Sequence, residues 1–189
     1  ITEEYDGTSW TEVGDLNTAR VSLAGAGENN TSAIAFGGNP GNKTETELYN
    51  GSSWSETANL ATGRAYLAGF GIQSLAVAAS GGSNSTAAEE FSLSLTATTA
   101  ASWSSGGNTN NARRNAGCMG TQTAGLYAGG FGPPYLNYSE EYNGTSWTEG
   151  NNTTIARECS TSGFGTQTAG AIAGGGAPDN ISSPYSGYS

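Results

Sequence analysis

Four arginines, Arg20, Arg64, Arg113 and Arg157, and four glutamates, Glu3, Glu47, Glu89 and Glu140, recur in near-constant register along 189 residues. Guanidinium and carboxylate groups in such a pattern support two kinds of chemistry. A planar arginine fork can grip an anion bidentately, or the two charges can neutralise one another inside a fold. Each arginine occupies one equivalent slot per repeat, whereas a catalytic constellation is normally asymmetric. Arg–Glu pairing between strands or neighbouring units is therefore the favoured reading, with an arginine-lined central channel holding an anion as the alternative. The chain contains no histidine, which removes Ser-His-Asp and Cys-His nucleophiles and the commonest neutral-pH base and metal ligand. No Cys-x-x-Cys spacing suggests zinc, and no glycine-rich stretch ends in Gly-Lys-Ser/Thr to cradle a phosphate. The sequence thus nominates no catalytic residue, no metal site and no cofactor. The acidic doublets Glu89-Glu90 and Glu140-Glu141 read as solvated or arginine-paired. A glycosidase built on such glutamates is the enzyme alternative, and it requires turnover that one Glu substitution abolishes.

The elements that position these charges are repeats. Trp10, Trp54, Trp103 and Trp147 lie 44, 49 and 44 residues apart, and each precedes a repeat arginine by ten residues. The glycine pairs ending in Gly38, Gly82, Gly130 and Gly175 follow. A period of this length marks a repeat architecture. Units of about 1–42, 43–84, 85–134 and 135–180 result, with a fifth beginning at 181–189, all within one domain. Asp6-Gly7, Asn50-Gly51 and Asn143-Gly144 predict tight hairpins between a Tyr strand and a Trp strand. The expected reason is that both turn residues tolerate positive φ, and the two aromatics then share one sheet face. After each arginine come two brief strands rich in small residues, as in Ala33-Ile34-Ala35-Phe36-Gly37-Gly38. Four short strands per unit predict four-stranded sheets repeated radially, a β-propeller. In the third unit, Ser92 to Ser102 replaces the short turn, giving either a protruding binding loop or merely a longer outer hairpin. Tyr185 and Gly187 restart the pattern at the end. Either the array continues, or the ends overlap so that the hairpin at 3–12 completes the sheet begun by 156–175. Ile1 reads as a processed or truncated start, with no leader pattern.

Composition narrows the partners. Net charge is −10, with only six basic residues. No basic surface can track a phosphate backbone, so nucleic acid is disfavoured, as are anionic membrane surfaces. No apolar run reaches the 18 or so residues of a membrane span. Cys118 and Cys159 fall in different slots of neighbouring units and read as free, half-buried thiols.

An arginine strand, an apolar strand ending in Gly-Gly, then Tyr and Trp at short spacing resembles the kelch repeat over nearly the whole chain. That resemblance implies that the glycine pair ends a blade's second strand and that Tyr and Trp lie on its third and fourth. The strings at 140–148 and at 120–125 and 165–170 look like kelch-like repeat proteins of marine bacteriophages and environmental viruses. This likeness implies a virion-surface or tail-associated, otherwise extracellular, protein. Kelch-fold copper oxidases need histidine ligands, so that activity is excluded. Propeller sialidases carry a turn only superficially like Asp6-Gly7-Thr8-Ser9-Trp10. The expectation is an all-β, kelch-like propeller of four repeats with no enzymatic activity. It is expected to bind a host-surface glycan or other virion or fibre proteins, with a purely structural fibre segment as the alternative. Loop position nominates Tyr135, Tyr138, Thr96 and Thr98 as contacts.

Overall fold

The Asx-Gly turns close their hairpins by side-chain capping. In a computed structural model, which describes residues 1–93, 100–159 and 162–176, Asp6 Oδ1 accepts from the backbone N–H groups of Thr8 (2.8 Å) and Ser9 (2.9 Å). Asn50 and Asn143 cap the same positions at 2.9–3.0 Å. Only the glycines take positive φ, at 96°, 88° and 89°. The expectation that Asp and Asn also adopt it is corrected. These residues serve as acceptors, the role Asx side chains play in turns. The turns set the register Tyr5↔Trp10, Tyr49↔Trp54 and Tyr142↔Trp147, with ring centroids 4.8–5.2 Å apart. Such pairs add about 0.5–1.5 kcal/mol beyond their burial.

Among the described residues sixteen strands form three complete four-stranded antiparallel sheets and two hairpins. The first sheet is β3 (Ala24–Asn29), β4 (Ser32–Phe36), β5 (Thr46–Tyr49) and β6 (Trp54–Glu56). The second is β7 (Ala68–Ile72), β8 (Leu75–Ala79), β9 (Ala88–Ser92) and β10 (Ser102–Ser105). The third is β11 (Gly117–Thr121), β12 (Ala124–Ala128), β13 (Ser139–Tyr142) and β14 (Trp147–Glu149). The hairpin β1 (Thr2–Tyr5) with β2 (Trp10–Val13) precedes them, and β15 (Gly163–Gly165) with β16 (Gly170–Ile172) follows. Among the described residues these hairpins are separate sheets, so the overlap of 3–12 with 156–175 is not formed. The first hairpin leans instead on the first complete blade, where the Trp54 indole N–H donates to Thr2 Oγ1 at 3.0 Å. The longer third outer hairpin keeps its register, with Phe91 opposite Trp103. Thr96 and Thr98 lie outside the described residues. No helix among the described residues is long and apolar enough to cross a membrane.

The first strands of these units, β3, β7, β11 and β15, sit side by side, as strands lining a propeller's central channel do. Their closeness depends on small residues. A Cβ on Gly69 would stand 2.7 Å from the Phe36 ring and 2.9 Å from Ala24 Cβ. Between blades lie two apolar clusters, one around Phe36, Leu67 and Phe91, the other around Phe70, Tyr127 and Trp147. The Gly-x-Gln turns add a polar staple. The Gln73 amide donates to the carbonyls of Ala33 and Tyr49, Gln122 to Ala76 and Phe91, and Gln167 to Gly125 and Tyr142. Each glutamine thus ties its blade to two strands of the blade before it.

Candidate functional site

Three of the four repeat arginines, Arg20, Arg64 and Arg113, are buried and consumed by the fold. Arg20 Nη1 meets Glu47 Oε1 at 2.6 Å, with both side chains fully buried. Arg113 Nη2 meets Glu140 Oε1 at 3.0 Å, also fully buried, and Arg64 pairs with Glu89. Each arginine precedes its blade's first strand, and each glutamate sits on the third. Asn17 and Asn110 complete the carboxylate shells through their backbone and side-chain N–H groups. Among the described residues Arg157 has no such carboxylate, and Glu3 no arginine. The second glycine of each pair supports the same loops: Gly38, Gly82 and Gly130 have φ of 114°, 57° and 108°. The Gly38 and Gly130 N–H groups donate to the Arg64 and Arg157 carbonyls of the next blade, as Gly81 does to Arg113, whereas Gly82 donates to Ala65 of its own blade. Gly175 has φ 91° beside Glu158, whose N–H and carbonyl bridge Gly176 at 2.9 and 3.1 Å.

Burial raises the Glu47 carboxyl, but the Asn17 N–H, the Arg20 guanidinium and the Thr18 N–H outweigh it and hold the group below its ordinary 4.5. A carboxylate depressed on folding stabilises above its unfolded value, and that stability is lost as pH falls through the folded value. The urea midpoint is therefore expected to hold from pH 7 to about 5 and to fall below pH 4.5. Glu47→Gln should lower the pH 7 midpoint and flatten that acid-side fall. Urea titrations of both chains at pH 7, 5 and 3 check this.

Both cysteines are free and fully buried rather than half-buried. Burial pushes the Cys118 thiol up to about 12 and raises Cys159 as well. Thiolate, the reactive form, is then scarce. Neither cysteine should react with a chromogenic disulfide reagent at pH 8 until denaturant is added, whereupon two thiols should titrate per chain.

The residues that follow each repeat arginine lace the channel mouth. Ser22, Tyr66 and Asn115 take left-handed φ of 55°, 57° and 53°. Tyr66 N–H donates to the Ser22 carbonyl (2.9 Å), Asn115 N–H to Tyr66 (3.1 Å) and Cys159 N–H to Asn115 (2.8 Å). The backbone of this ring repeats while its side chains do not. The slot after the arginine holds Val21, Ala65, Arg114 and Glu158; the next holds Ser22, Tyr66, Asn115 and Cys159. Where these departures meet, between the second and later blades, a cleft of about 470 Å³ opens, lined by Tyr66, Ser83, Asn84, Arg114, Asn115 and Glu158.

Arg114 differs from its neighbour Arg113 in burial and in its polar partners. Its guanidinium lies 4.6 Å over the Phe131 ring, and Nη1 donates to Asn84 Oδ1 at 3.2 Å. It makes no ion pair among the described residues. Across the cleft, Asn115 Nδ2 donates to Glu158 Oε1. The arrangement presents guanidinium, amide, hydroxyl, carboxylate and one exposed phenol. Among the described residues Glu158 is the cleft's one carboxylate, so the paired acids of glycoside hydrolysis are not assembled by those residues. Among the described residues no three His, Cys, Asp or Glu side chains converge as metal ligands.

The loop residues nominated from sequence are divided by the structure. Tyr135 is half-buried and stacks edge-on against Phe131 at 5.4 Å. Tyr138 is exposed and borders a separate, smaller cleft of about 220 Å³ with Asn111, Glu149 and Asn152. Of the tryptophans, Trp147 is buried, Trp54 and Trp103 are half-buried, and Trp10 is 67% exposed.

No family model matches the chain, and no curated protein matches it. A solved structure does: that of YjhT superposes with a TM-score of 0.72 at 10% identity, over 90% of this chain. The fold is a kelch-type β-propeller. The chain spans 66% of the YjhT chain, and identity this low carries the fold and nothing of ligand or activity.

Proposed function

We propose that this chain is a non-enzymatic interaction module, displayed on a virion surface or otherwise extracellularly, whose channel-mouth cleft holds a host-surface glycan or another virion or fibre protein. One observation carries the reading. Arg114 breaks the repeat, lacks a carboxylate among the described residues, and lines the larger cleft. In a chain of net charge −10, a guanidinium held by an aromatic face and an amide keeps donors available to a ligand. The test is an array of immobilised host-surface glycans and purified particle proteins, probed with wild-type and Arg114→Glu chains. The reading expects a partner retained by the first and released by the second. Partners retained equally by both would contradict it.

Trp10 favours a second, architectural reading. Its counterparts contact the preceding unit, Trp54 through Thr2, Trp103 through Phe36 and Trp147 through Phe70, whereas Trp10 and Tyr5 remain 67% and 47% exposed, a face suited to burial against a fibre neighbour. Loss of particle incorporation in Trp10→Ser, with array binding intact, would support that role.

A further inference from the structure

Tyr66 occupies a position that its side chain makes costly. The hydrogen-bonded ring at the channel mouth imposes a left-handed backbone on Ser22, Tyr66 and Asn115 alike. Asparagine tolerates that region through local hydrogen bonding, while a bulky aromatic residue is an outlier there. Such outliers persist where surrounding structure over-determines them, and they cluster at ligand sites. Packing does not explain this one. Tyr66 is 42% exposed and forms no aromatic pair among the described residues. Tyr66 instead lines the cleft with Arg114, Asn84, Asn115 and Glu158.

One exposed aromatic face fringed by donors and acceptors matches a pyranose ring. The sugar's C–H face covers the phenol, and its hydroxyls exchange hydrogen bonds with amide, guanidinium and carboxylate. A cleft of about 470 Å³ has the scale of a small-ligand site. A docked protein would be expected to use a wider apolar centre, and this lining has one aromatic residue. We propose that Tyr66 is the stacking platform for a single hexose-sized glycosyl unit, with Arg114, Asn84, Asn115 and Glu158 bonding its hydroxyl and other polar groups. This rests on the cleft being the module's binding site.

The test titrates wild-type, Tyr66→Asn, Tyr66→Phe and Leu75→Ser chains with maltotriose, cellotriose, chitotriose and trigalacturonate, and records the melting temperature of each chain. Leu75 is exposed at the far end of its strand. Wild type is expected to bind at least one trisaccharide. Leu75→Ser should retain it, Tyr66→Asn should weaken it roughly 5- to 10-fold, and Tyr66→Phe should weaken it less than Tyr66→Asn. The melting temperature of Tyr66→Asn should hold or rise by roughly 2–4 °C as strain is relieved. Unchanged binding in Tyr66→Asn, or a fall in its melting temperature, would overturn the proposal. If wild type binds no trisaccharide but Arg114→Glu releases a particle protein, the glycosyl assignment falls and the module reading stands. If Arg114→Glu releases nothing, both fall.

Discussion

Arg113→Met is expected to destabilise the chain by about 3–5 kcal/mol, the cost of stranding a buried partner charge. Glu140 would lose the guanidinium 3.0 Å away while remaining fully buried. It would keep only the Asn110 and Asn111 N–H donors. The Tyr127 ring would lose the cation 4.2 Å from its centroid. For a domain of this size, the melting temperature should fall by roughly 6–20 °C. Adding Glu140→Leu should restore part of the loss, because a buried pair replaced by apolar groups is often tolerated. Thermal unfolding followed by tryptophan fluorescence checks both. Equal loss in the single and double variants would mean that packing around the guanidinium, rather than the stranded charge, sets the cost.

Arg114→Glu, one residue along, should do the reverse. Its side chain is half-buried and its fold contacts are Asn84 and the face of Phe131, so the stability change should stay within about 1 kcal/mol. Binding in the cleft should drop roughly 100-fold. A charge-assisted donor is lost, and a second carboxylate joins Glu158 in the lining. Calorimetric titration with the trisaccharide that binds wild type, paired with a melting curve, separates the two effects. The contrast follows from where the two side chains go: Arg113 turns into the sheet and Arg114 out to the mouth.

The periodic part of this protein was legible in its sequence. Trp, Arg, Asx-Gly and Gly-Gly at fixed offsets gave hairpins, sheets and the three Arg–Glu pairs, because each contact repeats wherever the spacing repeats. The Gln73, Gln122 and Gln167 staples repeat too, but the spacing alone assigns them no partner. Their acceptors lie on a neighbouring blade, a relation that spacing along the chain does not reveal. The cleft was missed for a different reason. Loop position points to Tyr135 and Tyr138, and the structure places Tyr135 against Phe131 and Tyr138 at the smaller cleft. The available signal was negative: the slots after each repeat arginine hold Ala65, Arg114 and Glu158, then Tyr66, Asn115 and Cys159. A slot whose backbone role is fixed but whose side chain changes from blade to blade is free to serve a ligand.

The most direct measurement is a two-dimensional amide NMR titration of the ¹⁵N-labelled chain with the trisaccharide that binds it. Shifts confined to Tyr66, Ser83, Asn84, Arg114, Asn115 and Glu158 are the predicted result. Shifts centred instead on Asn111, Tyr138, Glu149 and Asn152 would contradict the account and move the site to the smaller cleft.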